Sequence, residues 1–288
     1  MPFNMRKNAF LILLLCSLIP LRAVTIHTIG DSTMANYDSM RVTRGWGMYL
    51  GLFLDDSVRV NNRAKNGSST RTYYENDTLW TKVKTQIVRG DYVFIQFAHN
   101  DEKSNGADAE QLIEYYTSVG DTAKADSVDR RGTTPATTYI QNLRRYVTEA
   151  RALGAIPVLI APAARMYFSA DTIRRAGLHD LGDKFTIVTP HGVVEGNKVP
   201  AADHSMDYVW HMRQVAEEMQ VPFMDLTTAT RQLYERLGDE RCHQLLSDGK
   251  GHTHFSAQGA KQVAKLCAIL MKQNMILAEH VKAEIPEE

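Results

Sequence analysis

Five short apolar runs constrain this chain more than any other feature: residues 24–30, 58–62, 92–98, 156–161 and 221–226. Each has the length of a strand. Several, such as "YVFIQFA" at 92–98 and "IPVLIA" at 156–161, are apolar at successive positions rather than at alternate ones. A strand with one wet face alternates; a strand covered on both faces need not, and that is the environment of a parallel sheet. Parallel neighbours cannot be joined by a tight turn, so a longer segment must carry the chain back each time. The intervening segments have helical spacing. Residues 79–88 place Leu79, Val83 and Ile87 on one face, and 139–153 do the same with Ile140, Leu143, Tyr146, Val147 and Ala150. Residues 46–54 and 205–219 read as further crossovers, and 256–274 open on Ser256, a residue suited to cap a helix. The alternation implies the α/β class: a doubly wound, five-stranded parallel sheet in a three-layer α/β/α domain, with right-handed crossovers, over residues 24–288.

Residues 1–23 stand outside that pattern. Arg6 and Lys7 precede the apolar run "FLILLLCSLI" at 10–19, Pro20 breaks it, and the segment ends on small Ala23. This is the layout of a secretory signal, too short to persist as a membrane anchor. The mature chain is therefore expected to be exported, to the periplasm or outside the cell, with no membrane attachment after cleavage. Two cysteines then remain, Cys242 and Cys267. An oxidising compartment permits a bond between them, and two buried thiols are the other reading. The 33 basic and 33 acidic side chains balance, which excludes an electrostatic grip on nucleic acid.

Two long segments interrupt the alternation. Residues 102–134 are polar, and 164–203 are irregular and rich in glycine. Both leave the carboxyl ends of expected strands, where open α/β sheets place their ligands.

Four polar clusters share that sheet edge: Gly30-Asp31-Ser32-Thr33, "NNRAKNGSS" with Gly67, "AHND" at 98–101, and "GHTHFSAQGA" at 251–260. A serine hydroxyl becomes a nucleophile when a base takes its proton, and His252 and His254 are the candidates. Acyl transfer builds an oxyanion that needs donors already in place; the Ser32 N–H, the Gly67 N–H and the Asn100 amide are available. His179, His191 and His204 lack metal-ligand spacing, so no metal is expected, and no G-x-G-x-x-G loop for a dinucleotide follows the first run.

Taken in order, these blocks resemble the SGNH (GDSL-type) hydrolase superfamily. "GDSTM", "HND" and "THFSAQGA", with "TYIQNLRRYV" and "RMYF", resemble its rhamnogalacturonan acetylesterase branch, over nearly the whole mature chain. The resemblance implies a flavodoxin-like fold and a serine esterase that uses no cofactor. It makes Ser32 the nucleophile and His254, which matches the Thr-His position, the general base. Ser32, Gly67 and Asn100 would form the oxyanion hole. The implied substrate is an acetylated polysaccharide or oligosaccharide of the plant cell wall, rhamnogalacturonan in pectin; Arg165, within "RMYF", is a candidate to meet a galacturonate carboxylate, a surface salt bridge being its other reading. Other esterases of the superfamily, acting on xylan or lipid-like esters, and a catalytically impaired carbohydrate binder are the alternatives.

One departure bears on mechanism. The family pattern has an aspartate three residues before the catalytic histidine, where this chain has Gly251. Replacing the equivalent carboxylate by its amide costs a serine protease about 10⁴ in kcat. Asp248 swinging in from the flexible "DGKG" turn is the first arrangement considered; a Ser-His dyad and an impaired enzyme are the others. A second departure is Ala98, where glycine is usual. If the backbone there has positive φ, alanine costs about 1 kcal/mol.

Overall fold

The computed structural model describes residues 23–283, so the expected signal segment, apart from Ala23, lies outside it. Five strands form the central sheet: β1 Val24–Gly30, β2 Val58–Asn62, β3 Tyr92–Gln96, β4 Ile156–Ile160 and β5 Phe223–Met224. They lie in the order β2-β1-β3-β4-β5, and every neighbouring pair is parallel. β1 is paired on both sides, with Thr28 opposite Asn62 in β2 and Phe94 in β3. The winding direction reverses between β1 and β3. Crossovers therefore leave a crevice beyond the carboxyl ends of these two strands.

Cover on both faces explains the continuous apolar runs. In β3, Phe94 points into one layer with Ile26, Trp46 and Val263, while Val93 and Ile95 point into the other with Leu143, Tyr146 and Trp80. All are 0–1% exposed. Burying a side chain of this size contributes about 1.5–3 kcal/mol, on either face alike. The helix Ile140–Ala152 buries Leu143, Tyr146, Val147 and Ala150, the stripe its spacing predicts. The last helix, Ala257–Gln273, starts where Ser256 Oγ accepts the Gly259 N–H at 3.1 Å. Gly259 lets that helix press on the chain at Leu246, whose carbonyl would lie 2.1 Å from a Cβ there.

Four expectations change. Residues 46–54 form two 3-10 turns, Trp46–Met48 and Leu50–Phe53, instead of one crossover helix. Gly47 and Gly51 weaken an α-helix here, and Gly47 packs where a Cβ would sit 2.6 Å from Met34 O. The polar stretch 102–134 holds two helices, Ala109–Ser118 and Thr122–Ser127, capped by Asp108 and Asp121. Beyond β5 the chain continues as helices Leu226–Leu237 and Asp239–Leu245. Residues 164–203 carry two hairpins, Phe168–Ser169 with Thr172–Ile173 and Thr186–Thr189 with Gly192–Glu195. Ala98 adopts φ 156°, a positive angle at which glycine would be unstrained. Cys242 and Cys267 are buried, unbonded thiols in the same apolar layer; burial pushes the Cys242 thiol up to about 12.

Candidate active site

The last residue of β1, Gly30, is glycine for a steric reason: a Cβ there would lie 2.6 Å from Gln96 O of the neighbouring strand. The turn that follows is braced by Asp31. One of its oxygens accepts the Thr33 N–H at 2.9 Å and the Thr33 hydroxyl at 2.8 Å, an Asx turn. The other faces His99 Nδ1 at 3.0 Å. Asp31 is fully buried. Burial alone would raise its pKa, but His99 and the Thr33 hydrogen bonds outweigh that and lower it. Burial in turn pushes His99 down to about 4 against the pull of Asp31. At neutral pH His99 is therefore an uncharged ring donating to a carboxylate, which identifies Nδ1 as the protonated nitrogen.

So held, Ser32 presents its hydroxyl past the strand end, and its Oγ lies 2.9 Å from His254 Nε2. These residues are 222 positions apart in the chain. Direct contacts knit all the blocks around them. Lys65 N–H donates to Gly30 O at 2.9 Å, joining the second block to the first. Asn100 Nδ2 donates to Ser68 O at 2.8 Å, and Asp101 accepts the Thr70 N–H at 3.1 Å and the Thr133 hydroxyl at 3.0 Å, joining the third block to the second. Arg165 donates to His99 O at 2.9 Å and to Thr253 Oγ1 at 2.9 Å, joining the third block to the fourth.

Among the described residues, neither the Ser32 N–H nor the Gly67 N–H donates to a protein acceptor. Gly67 has φ 81°, which turns its amide in a way other residues resist. The Asn100 amide has one hydrogen committed to Ser68 O and one left over. Donors left without a protein acceptor are what an oxyanion requires, and these three are the ones the sequence offered for it. Among the described residues no group of three or more His, Cys, Asp and Glu side chains could hold a metal ion.

Two expected roles are not what the contacts give. The carboxylate of Asp248 accepts the Thr43 hydroxyl at 2.6 Å and the Lys250 N–H at 2.9 Å. No hydrogen bond joins it to the His254 ring; only the backbones meet, Asp248 N–H donating to His254 O at 3.1 Å. The "DGKG" turn closes on its own aspartate, whose carboxylate is taken by Thr43 and the Lys250 N–H instead of the imidazole. Gly251 has φ 142°, a strained angle for any residue that would supply a carboxylate there. Asp248→Asn should therefore keep acetate release within about tenfold of wild type, whereas loss of a true triad carboxylate costs about 10⁴; a single kinetic comparison decides. The second correction is Arg165. Its side chain is only 11% exposed and its guanidinium is bound to Glu102 at 2.7 Å, so no substrate carboxylate is needed to satisfy it. His252, the competitor for the base, turns to His243, with its Nδ1 2.7 Å from His243 Nε2.

Sequence reasoning missed Arg131. Its Nη1 donates to Asn100 Oδ1 at 3.2 Å, and Asp129 clamps the same guanidinium at 2.8 and 2.5 Å. This contact fixes which way the Asn100 amide points. Arg131 follows Asn100 by 31 residues inside a polar loop, and no spacing signals the pair. Arg131→Gln should lower kcat about tenfold with KM little changed, as a partial loss of one oxyanion donor worth 10²–10³ predicts. Steady-state kinetics on a small acetyl ester separates the two parameters.

A serine hydroxyl donating to an imidazole, beside unpaired amide donors, is an arrangement for covalent acyl transfer. On this fold it defines the class of carboxylic ester hydrolases. Residues 28–262 match the model of the GDSL-like lipase/acylhydrolase family, and the chain belongs to that family. Three relatives are named for one activity. A Bacillus subtilis protein named probable rhamnogalacturonan acetylesterase YesY is 30% identical over 251 residues, 86% of this chain and 92% of its own. Rhamnogalacturonan acetylesterase RhgT of the same organism is 28% identical, covering 86% and 89%. The rhamnogalacturonan acetylesterase of Emericella nidulans is 26% identical, covering 84% and 82%. Among solved structures, the Bacillus subtilis protein YXIM superposes with a TM-score of 0.60 at 20% identity; the match covers 89% of this chain and 58% of that one. A mutant of Axe2, an acetylxylan esterase from Geobacillus stearothermophilus, gives a TM-score of 0.50 at 16% identity, covering 91% and 97%. Both share the fold.

Proposed function

We propose that this chain is an exported esterase that removes acetyl groups from rhamnogalacturonan. Ser32 is the nucleophile and His254 the general base. Ser32 Oγ attacks the acetyl carbonyl while its proton passes to His254 Nε2. The carbonyl oxygen takes the negative charge and is met by the Ser32 N–H, the Gly67 N–H and Asn100 Nδ2. Collapse expels the sugar hydroxyl, which takes the proton back from His254, and leaves an acetyl-enzyme. Water, deprotonated by the same ring, then releases acetate and free Ser32. The imidazolium formed midway has no carboxylate hydrogen-bonded to it, so the pair works as a dyad.

The observation that carries this reading is the 2.9 Å contact between Ser32 Oγ and His254 Nε2. The substrate is supported by the three relatives named for it, and export by the charged, apolar, small-residue order of residues 1–23. The test is acetate release from acetylated rhamnogalacturonan and from acetylated xylan by wild type and Ser32→Ala. Faster release from xylan would overturn the substrate, and turnover retained by the variant would overturn the site. Cleavage after Ala23 on expression with residues 1–23 in place, read by mass, tests export.

A further inference from the structure

We propose that the cleft between the two long loops is a subsite for an acidic sugar of the polymer, one that binds a uronate carboxylate next to the acetylated residue. This rests on the pectin reading above and gives it a second point of contact.

The cleft holds about 410 Å³. One wall comes from residues 103–129, with Lys103, Asn105, Tyr116, Lys124 and Asp129; Val193 of the second hairpin lies in the other. The walls are tied together, since Thr186 N–H donates to Asn105 O at 2.8 Å. Its position follows from one side chain. Asp129 lines the cleft and grips Arg131, and the same guanidinium reaches Asn100. One wall of the cleft is thus linked to the proposed oxyanion donor through a single guanidinium and its hydrogen bonds. A polymer with an acetyl group at Ser32 would lay its neighbouring residue there.

The chemistry of the lining is cationic with an aromatic face. The lone lining carboxylate, Asp129, is neutralised by Arg131. Lys103 forms no ion pair among the described residues. Lys124 lies over the Tyr116 ring at 5.5 Å and is paired at the surface with Asp121 at 3.1 Å, a contact that contributes little in water. A uronate brings a carboxylate for the two ammonium groups and a C–H face for the tyrosine. Arg165 cannot serve, because Glu102 already holds it.

The experiment is kcat/KM for wild type and Lys103→Gln/Lys124→Gln on four substrates. These are an acetylated uronate-containing oligosaccharide, the same oligosaccharide with its carboxyls methyl-esterified, an acetylated neutral xylo-oligosaccharide, and p-nitrophenyl acetate. Both lysines are at the surface, so the fold should tolerate the change. For two partly solvated charge contacts the expected loss is roughly 5- to 20-fold, through KM and on the acidic oligosaccharide alone. Added salt should erase the difference. Methyl esterification should lower wild type to the variant's rate. An equal loss on p-nitrophenyl acetate, or none on the acidic substrate, overturns the subsite. A preference for the acidic substrate that survives in the double variant refutes the subsite alone. Absence of that preference in wild type refutes the pectin reading and the subsite together.

Discussion

Ser32→Ala should lower acetate release by roughly 10⁴- to 10⁶-fold, with His254→Ala close behind and the double variant no worse than the single ones. Non-additivity is the diagnostic part. Hydroxyl and ring, 2.9 Å apart, perform one proton transfer, so removing either removes the whole step. What survives is the oxyanion donors and binding, which in a serine protease leave a residual rate of about 10³–10⁴ over water. The lower end of the range is expected here, because the wild type starts without a carboxylate bonded to its imidazole. The fold should not suffer. Ser32 loses one hydrogen bond, worth about 0.5–1.5 kcal/mol, while the Asp31 turn keeps all of its own contacts. Equal melting temperatures and a collapsed kcat are thus the expected pair of results. A Ser32→Ala enzyme within tenfold of wild type would mean that the nucleophile lies elsewhere.

The sheet and the edge that carries Ser32 were legible from the chain because burial on both faces leaves a one-dimensional mark. β3 reads as an unbroken apolar run for the same reason that Phe94 and Ile95 enter opposite layers. The turns past strand ends were legible because glycine and aspartate do there what few residues can. The helices Ala109–Ser118 and Thr122–Ser127 left no such mark. Each is short, and of its side chains only Ala109, Leu112 and Ala125 are buried, so apolar periodicity had little to show. Their aspartate caps were the readable signal. Polar partnerships were the least legible of all. Asp248 lies six residues before His254, the nearest upstream carboxylate in the sequence, yet Thr43, 205 residues away, takes it. Arg165 is a cation near a site for an acidic polymer, yet Glu102 takes its guanidinium. A charged side chain pairs with whatever the fold brings within 3 Å, and spacing along the chain does not encode that.

Arg165→Met should therefore be a stability lesion first. Glu102 is 8% exposed and its carboxylate meets Arg165 Nη2 at 2.7 Å and His179 Nδ1 at 2.5 Å. His179 Nε2 is held in turn by Ala163 O at 2.9 Å. Burial pushes the Glu102 carboxyl up, but Arg165 and then His179 more than offset this and hold it down to about 2. Removing one partner of such a buried pair costs about 3–5 kcal/mol, since the other charge stays behind without solvation. In a domain of this size that is roughly a 10 °C fall in melting temperature. Glu102→Gln should do the same, and Glu102→Gln/Arg165→Met should cost less than the sum of the two. The pH dependence has a definite sign. With its folded pKa below the unfolded value near 4.5, Glu102 stabilises fully above that pH, and this contribution, about 3 kcal/mol, is lost as pH falls towards 2. The gap between wild type and Glu102→Gln should narrow over that window. Activity should follow stability by a separate route, because Arg165 also holds Thr253, the neighbour of His254. Its loss should lower kcat on every ester, the smallest included. A side chain that read the polymer's carboxylate would instead raise KM on acidic substrates and leave the melting temperature alone. That pattern would overturn the structural assignment of Arg165 and restore it as a substrate contact.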